Sequence, residues 1–396
     1  MTALGLAAST DVLAQSLQTE RRELAQTNYT YTPASLDAEH RADFTPFGRL
    51  NLDAGLTGFS DAEVVADGFG SEIRRARLGV KGDLAGGFGY KFEIDFAGNA
   101  TDVTDAIITY KDGGMTVSVG QHNTFQSLEE LTSSRFSSFI ERAAFTDAFG
   151  FERRLGVSMQ VPAGSVLFQA GVFTDNVGDL PGQSWSADGR AVLSPSVGTT
   201  QLHLGGSVHY AESAAGDSLR YRQRPLVHFT GTRPINTGYL TTDSEFGAGV
   251  ESGVIAGPLH AVSEAFWQTV NRPDALDDAQ FFGGYAEVGV YLTGGDRRGY
   301  KGGRFDRTKP KTPVGAGGVG AIEVNLRYDY LDLNDGAIVG GVQNGYFASL
   351  VWVPTDHTRF LVNYGRQHYD DPVVALPAGS RAVSANVFGV RGQIDF

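Results

Sequence analysis

Along most of this chain apolar and polar side chains take turns, one residue at a time. The clearest stretch is FGYKFEIDF, residues 88–96. Phe88, Tyr90, Phe92, Ile94 and Phe96 fall on one side of an extended backbone, and Lys91, Glu93 and Asp95 on the other. Side chains of a strand alternate with period two, so the stretch predicts a strand with one oily and one wet face. RLNLDAGL gathers Leu50, Leu52 and Ala54 in the same way. IRRARLGVKGD sets Arg74, Ala76, Leu78 and Val80 against Ile73, Arg75, Arg77 and Lys81. Sixteen such segments run from 47–56 to 382–396, an even number. The links LAGG, DGG, PAG, AGP and TDH fall at one end of these strands, and most longer links fall at the other. Parity places residues 295–318 at the short-link end despite their length, and links that long usually serve a function. The last strand puts Phe388, Val390, Ile394 and the terminal Phe396 opposite Arg391, Gln393 and Asp395.

Alternation alone does not separate a soluble sandwich from a barrel with lipid outside and water within. Two features favour the barrel. Aromatics cluster on the oily face, and the wet face carries both signs of charge. The expectation is an all-β, transmembrane, 16-stranded antiparallel β-barrel. One stretch, residues 122–145, breaks the pattern. Ser127 followed by Glu130 is a capping-box spacing, which predicts a helix start. Leu128, Leu131, Phe139 and Ile140 then line one or two helical turns. A short helix inside an alternating chain predicts a third loop folded into the barrel, where it narrows the pore. That loop carries Glu129, Glu130 and Glu141 against Arg135 and Arg142.

Composition narrows the picture further. Of 396 residues 41% are hydrophobic and 52 are glycine. Even so, no run approaches the roughly 18–20 apolar residues of a membrane-spanning helix. The net charge, 32 − 45 = −13, excludes a general nucleic-acid binder. There is no cysteine, which decides little. Residues 1–14 read as the remnant of a secretory signal ending before Gln15, residues 15–46 as a periplasmic extension, and residues 47–396 as the barrel.

Positive charge is concentrated within this acidic chain. Arg220, Arg222 and Arg224 alternate in RYRQRP, which on an extended backbone places three guanidinium groups on one side at intervals of about 6.6–6.8 Å. Guanidinium forks bind oxyanions through paired hydrogen bonds and stay charged at physiological pH. A second cluster, residues 294–313, has Arg297, Arg298, Lys301, Arg304, Arg307, Lys309 and Lys311 against Asp296 and Asp306. If this link turns inward, it brings up to seven positive charges near the channel exit. Arg75, Arg77 and Lys81 form a third group, for which Glu93 and Asp95 are candidate partners. No H-E-x-x-H or P-loop signature occurs. GAGGVG at 315–320 fits G-x-G-x-x-G, but strand residues follow it, so it reads as loop closure. Asp332, Asn334 and Asp335 read as a surface turn, and the scattered histidines suggest no metal site. No cofactor is expected.

RRARLGVKGD (74–83), SLEELTSS (127–134), FIERA (139–143), RRLGV (153–157), LHLGGSVHY (202–210) and YLTGGDRRGYK (291–301) occur in order along the chain. Together with the closing strand they resemble the phosphate-selective porins O and P of Gram-negative bacteria. The resemblance implies an outer-membrane trimer of sixteen-stranded barrels, an in-folded third loop, and basic residues descending the pore as a ladder towards a lysine-rich constriction. Its partners would be phosphate or other small anions and the lipids of the outer membrane. One departure stands out. The resemblance implies a lysine just before the third loop, but the chain reads Gln121-His122-Asn123-Thr124. The expectation is therefore a non-enzymatic porin passing anions, with phosphate first. The alternative is a general porin of weak selectivity. A barrel enzyme with a Ser–His or acidic dyad at its rim, and a closed barrel serving as anchor or receptor, are rivals from other classes.

Overall fold

The computed structural model describes residues 42–60, 68–98, 100–180, 183–214, 216–273 and 275–396. The expected signal remnant and most of the expected extension lie outside these residues. Every alternating segment forms a strand. They are β1 (Thr45–Phe59), β2 (Gly68–Asp83), β3 (Phe88–Asp95), β4 (Asp102–Asp112), β5 (Met115–Asn123), β6 (Arg153–Ala163), β7 (Val166–Phe173) and β8 (Trp185–Leu193). The rest are β9 (Thr200–Glu212), β10 (Ser244–Ala256), β11 (Leu259–Asn271), β12 (Ala279–Tyr291), β13 (Ala321–Asp335), β14 (Ile338–Thr355), β15 (Thr358–Asp370) and β16 (Ala382–Asp395). Each pairs antiparallel with its neighbours in sequence, and β1 also pairs with β16, with Arg49 opposite Asp395 and Phe59 opposite Ala385. The sheet is thereby closed into a 16-stranded barrel with no free edge, the only way strands can satisfy every backbone group in lipid. At the seam Phe396 and Gly48 exchange backbone hydrogen bonds, both of 3.1 Å.

The two faces follow the sequence pattern. On β15 Val362, Tyr364, Arg366 and His368 are exposed, while Leu361, Asn363, Gln367 and Tyr369 are buried. The exposed large hydrophobic residues, among them Leu52, Phe92, Val157, Leu204, Val250, Leu326 and Trp352, give the wall an oily outer surface. No helix is long and apolar enough to cross a membrane, which does not bear on a barrel.

One strand departs from simple alternation. In β2 the register with β1 slips between Asn51 and Leu52, so that Arg75 faces Asn51 and Ile73 faces Leu52. The extra residue is Arg74. A bulge of this kind resets the alternation. Arg74 and Arg75 therefore both enter the lumen, and Ile73 turns to the outer surface, the reverse of the sequence assignment for Arg74 and Ile73.

Candidate functional site

The lumen is divided by the link between β5 and β6, residues 124–152. It carries two short helices, α1 (Leu128–Leu131) and α2 (Ala144–Ala148). Peptide groups taken away from bulk water need partners, and here the far wall supplies them. Glu264 of β11 accepts from the N–H groups of Leu128 and Glu129 at 2.8 and 2.7 Å. Asp329 of β13 accepts from Ala144 at 2.8 Å, and Asn363 of β15 from Ile140 at 2.7 Å. In the other direction Arg359 donates to the carbonyls of Arg135 and Ser137 at 2.7 and 3.0 Å. Ser127 caps α1 by accepting from the Glu130 N–H at 3.3 Å. The second half of the expected capping box is missing, because the Glu130 carboxylate turns to Arg142 and Glu264 serves the first turn instead.

The underside of this loop is dry. Leu128, Phe139 and Ile140 are buried as the sequence implies, but Phe139 and Ile140 lie outside both helices. They join Phe145, Phe149, Phe266, Phe281, Tyr285 and Phe347 in one hydrophobic cluster between loop and wall. Burying each such side chain contributes about 1.5–3 kcal/mol. The close approach needs glycine: a Cβ on Gly389 would lie 2.4 Å from Ile140 Cδ1, and one on Gly283 would lie 2.4 Å from Phe145 Cβ.

Three glutamates on the loop looked hostile to anions in the sequence. Each meets an arginine, though Glu129 shares its partner with Glu287. Glu129 meets Arg327 at 2.9 Å, Glu130 meets Arg142 at 3.0 Å, and Glu141 meets Arg74 at 2.8 Å and Arg391 at 3.3 Å. Burial works to raise the Glu141 carboxyl, but Arg74, Arg75 and Arg391 outweigh it and hold it well below the usual range. Arg142 also donates to the carbonyls of Glu129, Glu130 and Thr132, closing the C-terminal end of α1. Arg135 rests on Phe136, 3.6 Å from Asp395.

The open side of the lumen faces β2 to β6. There Arg77 is wall scaffolding, donating to Asp95 at 2.6 Å and Glu93 at 3.1 Å. Arg75, only 6% exposed, has no carboxylate within 4 Å among the described residues, and its Nη1 has no partner. Lys81 sits over the Phe47 ring, also without an ion pair among the described residues. Arg49 reaches Glu93 at 3.3 Å, and Lys91 and Arg153 share Asp105. Where a lysine was expected before the loop, Gln121 and His122 are tied into the wall, Gln121 to Val103 and Val177, His122 to Gly120 and Ser158. Arg153, opposite Asn123 in register, brings a guanidinium to that height, where Asp105 holds it at 2.9 Å. Sequence reasoning passed over Arg49, Arg74 and Arg153. The alternation of RLNLDAGL marks Arg49 as inward, but nothing local identifies the other two.

The Ser158–His122 contact, 2.6 Å, is a Ser–His pair of the kind an enzyme rival would need. It lies within the wall against Phe125 and Phe173, and with the ring's Nδ1 donating to the Gly120 carbonyl it has no orienting acid.

A second link, residues 213–243, lies across the mouth. Its apolar residues Tyr221, Leu226, Val227, Ile235 and Leu240 belong to the same cluster as the third loop. His228 reaches Glu72 of β2 at 2.8 Å. Ser218 and Leu219 pair as strand with Thr241 and Leu240, and Arg222 and Gln223 with Asn236 and Ile235; Arg220, Arg222 and Arg224 share the more exposed side while Tyr221 and Gln223 are buried. Arg220 stacks on Tyr239. Burial, then the charges of Arg224, Arg222 and Arg220, bring Arg233 down to about 10. Below this link, bounded also by β2, residues 101–104, the third loop and residues 176–179, is a chamber of about 780 Å³.

The cluster at 294–313 folds upward as well, but its charges have different roles. A hairpin pairs Gly299–Lys301 with Arg304–Asp306, and Arg190 of β8 donates to the Gly303 carbonyl at 2.9 Å at its turn. Arg298 is consumed by Glu323 at 3.4 Å and Ser138 at 2.5 Å, and Arg307 by Asp395. Arg304 is solvent-exposed although surrounded by protein, and burial with the charge of Arg190 holds it below its ordinary value. Lys301, Lys309 and Lys311 are exposed, and Arg297 donates to the Thr199 carbonyl at 3.3 Å. Two of the seven charges are therefore fixed in the structural framework, which corrects the sequence count.

A family model described as phosphate-selective porin O and P matches residues 45–396. An uncharacterized protein of Caulobacter vibrioides is 44% identical over 370 residues, covering 89% of this chain and 74% of the relative. Among solved structures, the anion-selective porin from Comamonas acidovorans superposes with a TM-score of 0.55 at 14% identity, over 89% of this chain and 100% of its own. The outer membrane channel DcaP of Acinetobacter baumannii gives 0.55 at 15%, over 92% and 100%. The trimer form of OmpT from Vibrio cholerae gives 0.55 at 14%, over 90% and 99%. At these identities the structures share the fold.

Proposed function

The chain belongs to the phosphate-selective porin O and P family of the bacterial outer membrane, and from that premise we propose that it passes small oxyanions, phosphate first among them, by passive diffusion along a basic wall. One observation carries this reading: Glu129, Glu130 and Glu141 of the third loop each meet an arginine, whereas Arg75, Lys81, Arg224 and Arg304 have no ion pair within 4 Å among the described residues. The weakly selective alternative draws on those glutamates and on the missing lysine before the third loop, and it keeps only the second of these.

Magnitudes suit transport rather than capture. Two unit charges about 7 Å apart interact by about 0.6 kcal/mol at the dielectric of water and about 2.4 kcal/mol at an effective value near 20. Several such sites in series attract an anion without trapping it, as conduction requires. Arg220, Arg222 and Arg224 begin the path at the mouth. Arg75 and Lys81 follow on β2, where the expected third member, Arg77, is held by Asp95 and Glu93, and Arg304, Lys301, Lys309, Lys311 and Arg297 line its exit.

The test is the reversal potential in planar bilayers under a salt gradient. Replacing Arg220, Arg222 and Arg224 together by serine lowers anion over cation permeability, and an unchanged reversal potential refutes their role. The reading includes a homotrimer, by analogy with the trimeric form of OmpT, and chemical cross-linking in detergent that stops at one chain would contradict it.

A further inference from the structure

The chamber beneath the mouth mixes charges in a way a purely anionic ligand does not explain. Arg75 is more than nine-tenths buried with Nη1 unpartnered, and Nε of Arg224 is likewise without a partner. Asp102, Asp147 and Asp179 line the same space, and none has a cation within 4 Å among the described residues. Burial pushes the Asp147 carboxyl up, against the pull of Arg224. Unpaired carboxylates beside an anion path repel the anion. They become useful when the solute brings hydrogen-bond donors, because a carboxylate is a pure acceptor. The volume, about 780 Å³, falls in the range of roughly 300–1,000 Å³ typical of pockets for organic molecules. Orthophosphate fills only a small part of such a volume, whereas a larger hydroxylated anion offers donors to the acids while its oxyanion meets the arginines. Val103, Val177 and Leu226 offer carbon surface, and Leu226 is held in the left-handed region, φ 49°, a strained position for leucine.

We infer that the chamber selects hydroxylated organic anions, solutes with one oxyanion for the arginines and several hydroxyl donors for the aspartates, over bare phosphate. The inference rests on the anion-porin reading. Sugar phosphates and sugar acids share this chemistry.

The experiment titrates chloride current through the protein in planar bilayers with glucose 6-phosphate, gluconate, acetate, orthophosphate and glucose, added at the long-loop side. Glucose 6-phosphate half-blocks at a concentration about fivefold or more below that of orthophosphate, the worth of roughly one net hydrogen bond. Neutral glucose does not block. In the variant Asp102→Asn, Asp147→Asn, Asp179→Asn the advantage falls below about twofold, and the chloride current before blocker addition certifies that the variant is folded. Gluconate gaining over acetate to the same degree extends the class to sugar acids, while a gain confined to glucose 6-phosphate assigns it to phosphate esters. Orthophosphate blocking as strongly as glucose 6-phosphate, or the variant strengthening both blocks equally, overturns the inference and leaves an anion porin standing. Cation selectivity of the unmodified protein would sink the anion-porin reading itself.

Discussion

Arg75→Gln isolates the charge on which the anion path turns. The side chain faces the lumen between Arg74 and Arg77, and among the described residues it has no ion pair to lose. Glutamine keeps much of its length and orphans no carboxylate, so the barrel should fold normally. For an anion about 7 Å away, losing one positive charge costs about 0.6 kcal/mol at water's dielectric and about 2.4 kcal/mol at an effective value of 20. Those limits correspond to roughly threefold and roughly fiftyfold losses in anion permeability. The assay is the reversal potential across a potassium chloride gradient, kept near 0.1 M or below, where the screening length is still about 10 Å. The control removes charge in balance. Arg77→Gln with Asp95→Asn deletes a bridge of 2.6 Å without altering the net charge of the wall. It should leave the permeability ratio within about twofold, since no net charge is lost from the path. If Arg75→Gln leaves the reversal potential where it was while the balanced pair shifts it, the reasoning from unpaired charge is wrong.

Arg327→Met strands Glu129 and Glu287, now 2.9 and 2.7 Å from the guanidinium, and should cost about 3–5 kcal/mol, read as earlier thermal unfolding in detergent and noisier current. Gly389→Val places carbon where Ile140 lies and should lift the third loop from the wall; a single-channel conductance that does not rise contradicts this. Burial raises the Glu130, Asp147 and Glu152 carboxyls. Their raised values mean that ionised forms burden the fold at neutral pH and that this burden is relieved as pH falls. Proton uptake therefore begins above the ordinary carboxylate range near 4, and the chloride-over-potassium ratio should already climb before the pH has fallen to that range. A ratio flat until below pH 4 would mean that these acids titrate normally.

Much of the barrel was legible because its code is local. Period-two alternation in stretches such as 88–96 fixes which side chains meet lipid, and link lengths fix which end is which. The inward arginines of β2 and the buried anchors Leu128, Phe139 and Ile140 could be read in the same way. Arg74 could not, since a bulge is a property of two paired strands and not of one.

The sequence by itself determined an oily outer face, a polar bore, strand number and an inserted loop, because each follows from neighbours a few residues apart. Only the tertiary structure decided which inward positions are wet. Phe266, Phe281 and Phe347 face the same lumen as Glu93 and Asp95, yet they are dry because the third loop lies over them. That loop is fastened by Glu264, Asp329 and Asn363, which lie 136, 185 and 223 residues from the groups they receive. Closing the cylinder brings these partners together, and with them it decides which arginines are left unpaired to meet an anion.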